Sequence, residues 1–263
     1  MSTAESRAQA RALEGALRAE GHPERADQEK RYLKSSLDHL GVSVPATRRV
    51  VRTFLAGQDL DHAGLVALVE ALWARPIHEC RAAAVELLEA RPGLLGPRDL
   101  PLLERLIRES RTWALVDNLA ASVLGPLAER HPALGRKLPA WGKDPDFWIR
   151  RAALLAHLIA LREGRGDLAA FGRLADPLLG EGEFFIRKAI GWVLRDASKA
   201  DPEGVIAWLE PRAARAAPLT VREAVKRLPA AARARILAAA GLSAGSSRVR
   251  AAPRAGPPAP ARR

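Results

Sequence analysis

Apolar residues recur along this chain at spacings of three and four, and no segment alternates convincingly between apolar and polar positions. Leu65, Leu68, Val69 and Leu72 are the clearest case: they make one stripe of a helix that ends near Trp73. Such spacing is the signature of an amphipathic helix. The same pattern predicts helices over 26–40, from Pro45 through Leu55, over 78–91, 98–108 and 111–124, and near 132–139, 146–162, 167–179, 183–199, 203–214, 219–228 and 230–240. Residues 1–21 have helix propensity but few large apolar groups, so a marginal first helix is expected there. Gly, Pro or Asp punctuates almost every junction. Pro45 suits the first turn of a helix, Asp59 or Asp61 can cap the next, and Gly125-Pro126 is expected to stop or kink the 111–124 helix. The fold class is all-α.

The helices also repeat. Ile149-Arg150-Arg151-Ala152 returns as Ile186-Arg187-Lys188-Ala189, 37 residues on, and more weakly as Val221-Arg222-Glu223-Ala224 after another 35. A period in the thirties built of helix pairs is the mark of an α-solenoid, whose units bury their apolar faces only by stacking. The expected architecture is a superhelix of HEAT-like helical repeats with a concave face. In the repeat register Arg151 falls on Lys188, and Leu155 on Trp192. At an offset of 38, Trp113 falls on Arg151 and Asp117 on Leu155. Trp113, Asp117, Arg151, Lys188 and Trp192 are thereby expected on corresponding faces of successive helices, converging on one groove.

Composition narrows what such a groove would hold. The 263 residues carry a formal net charge of +12. That excess favours a polyanionic partner, although an Ala- and Arg-rich composition can also arise without one. Residues 1–242 read as the repeat domain. Residues 243–263, rich in Pro and Arg, have nothing to bury and read as a disordered tail. The tail holds five arginines and no acid; removing those five from +12 leaves +7 on the rest. One cysteine, Cys80, excludes a disulfide framework, and six scattered histidines offer no metal-ligand spacing, so neither a metal nor an organic cofactor is expected. No apolar run reaches the length of a membrane span and the N-terminus has no signal core, so a cytoplasmic protein is expected.

Asp117 is the chemical anomaly. It stands four residues after Trp113, on the same helical face, in a run otherwise fit for a core. A carboxylate there is costly unless it is paired or used. Beside a phosphate backbone it is repulsive, but it would stabilise an oxocarbenium-like sugar during cleavage of an N-glycosidic bond. The alternative is a structural pair with Arg111 or Arg151.

Three motifs carry a family resemblance: Trp113-x-x-x-Asp117 within TWALVDNLA, Trp148-x-x-Arg151 within FWIRRAALL, and FFIRKAIGWVLR from Phe184 to Arg195, preceded by Tyr32-Leu33-Lys34 and Leu40-Gly41-Val42. On these residues, over roughly 25–240, the chain resembles the DNA alkylation repair family of HEAT-like-repeat glycosylases, the AlkD-like enzymes. Residues 74–82 depart from that pattern. The resemblance implies a monofunctional glycosylase that removes N3- and N7-alkylated purines from double-stranded DNA without base flipping. It implies Asp117 as the catalytic carboxylate, Trp113 and Trp192 against the lesion's deoxyribose, and Arg151 at the backbone. Trp148, Arg187 and Tyr32 join the expected DNA contacts from the same motifs, and Lys188 from the repeat register. It also implies a monomer, associated with the bacterial nucleoid through DNA. Two other readings stay open: a catalytically idle solenoid that binds distorted DNA, and a HEAT-type scaffold for proteins.

Overall fold

The computed structural model describes residues 2–243, so the tail beyond Ser243 lies outside the described residues. Helices run in the order α1 (Thr3–Ala19), α2 (Pro23–Leu33), α3 (Val44–Ala56), α4 (His62–Trp73), α5 (His78–Ala90), α6 (Leu100–Ser110), α7 (Trp113–Asn118), α8 (Gly125–Arg130), α9 (Pro132–Gly135), α10 (Leu138–Trp141), α11 (Phe147–Leu155), α12 (Leu158–Arg162), α13 (Leu168–Ala175), α14 (Phe184–Ala197), α15 (Pro202–Leu209), α16 (Pro218–Ala224) and α17 (Ala230–Ala239). Among the described residues the only β-type pairing is an isolated bridge between Asp38 and Ile77. No described helix is long and apolar enough to cross a membrane.

The helices stack as repeats in two layers. One layer runs α5, α7, α11, α14, α16, each packed on the next; α4, α6, α13, α15 and α17 lie against it as the second. Leu65, Leu68, Val69 and Leu72 are fully buried, as their spacing predicts. Acidic caps start many helices, as Asp61 does for α4, Asp146 for α11 and Asp201 for α15, each accepting from a backbone N–H of the first turn.

The repeats are also tied by polar pairs about one repeat apart in sequence. Arg48 pairs with Glu86, Arg105 with Glu70, Arg108 with Asp144, Arg162 with Asp196, and Arg212 with Asp176. The sequence separations of these pairs run from 34 to 38 residues. Each such pair joins equivalent places in neighbouring repeats, so the ladder fixes stacking register as well as charge.

Three expectations change. The first helix is well formed: a reciprocal cap between Ser2 and Glu5 starts it, and Leu13 and Leu17 are buried. The 26–40 helix ends at Leu33, because Lys34 turns left-handed (φ 50°) and the chain beyond it pairs with the start of α5 instead. Finally, Gly125-Pro126 does not stop its helix. Leu119–Leu124 widens into a π-helix, and α8 continues through the proline. The wider turn accommodates the missing Pro126 N–H, and such π segments recur at functional sites.

Candidate active site

The α7 helix begins where the backbone of Arg111 adopts φ 47° and Thr112 caps the first turn with its hydroxyl. That start sets the rotation of the whole segment. Trp113 and Asp117, one turn apart, face a cleft of 370 Å³ together with Tyr32, Val44, Asn118 and Trp192. Trp192 comes from α14, two helices along the same layer. Tyr32 closes the rim from α2: it is 75% exposed, and its ring meets Trp113 edge-on at 6.1 Å between centroids. An exposed aromatic beside a half-buried one is a surface ready for flat or apolar groups.

Asp117 shares this cleft while being tied from behind. Arg151 donates from Nε to Oδ1 and from Nη2 to Oδ2, both at 2.7 Å. Its Nη1 donates to the Phe185 carbonyl at 2.6 Å, and its guanidinium lies 5.7 Å from the Phe185 ring centroid. The side chains of Arg151 and Asp117 are 4% and 13% exposed. Burial pushes the Asp117 carboxyl above its ordinary range, and the hydrogen bonds and charge of Arg151 oppose that rise. A two-pronged arginine fixes the carboxylate plane as well as its position.

Trp113, Asp117, Trp192 and Tyr32 therefore meet in one cleft. The other expected residues take different places. Arg151 is buried, with every guanidinium nitrogen engaged by Asp117 or the Phe185 carbonyl. Trp148 is also buried, packed on Phe147 and Phe185 with centroids at 4.5 and 4.8 Å, and it does not line the cleft. Lys188 lies one turn before Trp192 and is half-exposed, paired with the buried Glu223. Arg187 is partly exposed one residue off that stripe. Leu155, the register equivalent of Asp117 and Trp192, is fully buried, so corresponding positions do not all face the cleft.

The opposite wall escaped the sequence reading. It comes from α2, α3 and α5 and includes Glu29, Arg48, His78, Glu79 and Glu86. No motif marks these residues. The one available signal was the 38-residue separation of Arg48 and Glu86, a repeat offset whose meaning appears only once the helices are stacked.

Comparison with known proteins bears on this arrangement. The family model of the DNA alkylation repair enzymes matches residues 13–228. Among solved structures, the chain is similar to one described as a predicted DNA alkylation repair enzyme from Enterococcus faecalis. The TM-score is 0.70 at 24% identity, over 80% of this chain and 98% of that one. No curated protein matches the chain.

Proposed function

The chain belongs to the DNA alkylation repair enzyme family, and we propose that it hydrolyses the N-glycosidic bond of N3- and N7-alkylated purines in double-stranded DNA, leaving the lesion unflipped. Residues 1–242 form the glycosylase domain in this reading, and the basic 243–263 segment adds phosphate attraction. What supports it is one observation: a carboxylate held rigidly by Arg151 on the lining of a cleft whose other members include Trp113, Trp192 and Tyr32.

The chemistry follows from the charge. An alkylated purine is cationic, so its C1′–N bond breaks with both electrons returning to the base, which leaves neutral. Positive charge then passes to the sugar as an oxocarbenium-like species. Each Asp117 oxygen keeps lone-pair capacity beyond its Arg151 bond. At about 4 Å and an effective dielectric near 20, a carboxylate lowers the energy of that charge by roughly 4 kcal/mol. That amounts to about 10³ in rate. Water then adds to C1′ and gives its proton to Asp117 or to solvent. Trp113 and Trp192 pack on the deoxyribose and exclude bulk water. Arg151 is a positioning residue.

The test is release of 7-methylguanine from alkylated duplex DNA by the wild type and by Asp117→Asn. A loss of about 10³-fold in the variant is expected. Equal release by the two proteins would remove Asp117 from the mechanism. Tight binding to damaged duplex with no release by either would favour the idle DNA-binding reading instead.

A further inference from the structure

Beside the cleft, on the wall that no motif predicted, four titratable side chains scattered over the first 79 residues come together. The connector between α2 and α3 is pinned to α5. The Asp38 N–H donates to the Pro76 carbonyl and the His78 N–H to the Asp38 carbonyl, both at 2.8 Å. Buried Glu79 accepts from the N–H groups of Leu40, Gly41 and Val42 at 2.7–3.2 Å. Gly41 makes this possible: its φ is +74°, and a Cβ there would fall 2.2 Å from the His22 carbonyl oxygen. The pinning lays His39 flat on His78, with centroids 4.6 Å apart and planes 7° from parallel.

Backbone pinning leaves the imidazoles unexplained. Both ring nitrogens of His39 and Nδ1 of His78 are buried and have no hydrogen-bond partner. Buried polar atoms are rarely left so, and an ion is one of the few things that resolves them. Carboxylates stand within reach. One ligand atom from each of Glu29, His39 and Glu79 lies within 4.8 Å of the other two. Glu29 Oε1 accepts from Arg25 Nε at 2.7 Å, which leaves Oε2 available. Of the four N–H bonds to Glu79, only one, at 2.9 Å, reaches Oε2.

We propose that Glu29, His39 and Glu79 bind one divalent transition-metal ion of the zinc class. One imidazole nitrogen and two carboxylate oxygens are a normal ligand set for such an ion, with water completing the shell. Ligands at about 2.0 Å from a tetrahedral ion lie roughly 3.3 Å apart, so the three groups must close inward. Glu29, on a surface helix, moves most easily. The ion joins α2 to the connector and to α5. Tyr32 follows Glu29 by three residues on α2, so the same clamp steadies the ring that stands over Trp113. Two carboxylates also bring the charge of a divalent ion to zero. This proposal is independent of the glycosylase reading.

The experiment uses the full chain without an affinity tag, stripped with a chelator and titrated with Co²⁺ alone. Visible ligand-field absorption should saturate at one ion per chain, and Zn²⁺ should displace it. His39→Ala and Glu29→Gln should each weaken Co²⁺ binding by at least about tenfold. Circular dichroism would confirm that both variants stay helical, and His131→Ala, outside the cluster, should bind as the wild type does. Absence of Co²⁺ absorption in the wild type would overturn the proposal. So would unchanged affinity in a folded His39→Ala protein.

Discussion

Under the proposed function Asp117 carries two opposed demands. It would have to be ionised to stabilise a cationic sugar, yet its place on a half-closed wall resists ionisation. Because burial raises its pKa, the folded protein holds that proton more tightly than the unfolded chain does. Stability from this group is therefore full below the ordinary carboxylate range and declines as pH rises through the raised value. Activity runs the other way. Base release should fall as pH drops through a value above the ordinary Asp pKa of about 3.9, and a pH–rate profile under single-turnover conditions would read it. Arg151 bears on the same balance. Arg151→Ala leaves a buried carboxylate unpaired, and breaking such a pair costs about 3–5 kcal/mol. Denaturant melts should show that loss, and it should shrink on acidification as Asp117 takes up a proton. A melt unchanged by the substitution would mean that Asp117 is better hydrated than its surroundings indicate.

At the scale of elements, the π segment between α7 and α8 sets how the helix carrying Trp113 and Asp117 joins the stack. Gly125 lies where a Cβ would fall 2.5 Å from the Ala156 carbonyl oxygen, a backbone atom that cannot swing aside. Gly125→Ala should therefore push the end of this helix away from the α11–α12 junction. A loss of about 1–3 kcal/mol is expected from thermal or urea melts, as for other overpacked sites. Fast proteolysis between α7 and α8 in the variant would localise the damage. The helix pattern itself was visible in the sequence, and of the two outcomes expected at Gly125-Pro126, a stop or a kink, the stop does not occur. The widened turn carries the helix on through the proline. Leu37 and Leu40 did mislead. Their spacing fits a helix, yet Glu79 and the Asp38 bridge draw that segment into a connector.

At the scale of the whole molecule, charge and architecture meet. Of the 42 lysines and arginines, those of the inter-repeat ladder pair with acids one repeat away and so cancel within the net +12. That net charge is an excess summed over the whole chain, tail included, and is a poor count of the phosphates the protein neutralises. Under the proposed function, duplex affinity should fall with rising salt, and the slope of log K against log[salt] gives that count. Truncation after Leu242 removes five arginines. It should lower the slope by at most about 4.5 and leave the single-turnover release rate at saturating protein unchanged. A change in that rate would place the tail in the catalytic step.

The all-α class, the repeat and the segments that carry Trp113, Asp117 and Trp192 could all be read from the chain alone. These rest on local rules: apolar spacing, capping residues and a recurring motif. The sequence also brought Trp113 and Asp117 to one face, because helical geometry fixes residues four apart. Tertiary structure decided the partners. Asp117 is bound by Arg151, which lies 34 residues away. Arg151 is buried although the repeat register sets it against the half-exposed Lys188, since facing depends on how each helix rotates against its neighbours. The cluster of Glu29, His39, His78 and Glu79 beside the cleft has no sequence spacing to announce it. It exists because one carboxylate, Glu79, folds a connector back onto its own helix, and hydrogen bonds between distant segments leave no periodic trace.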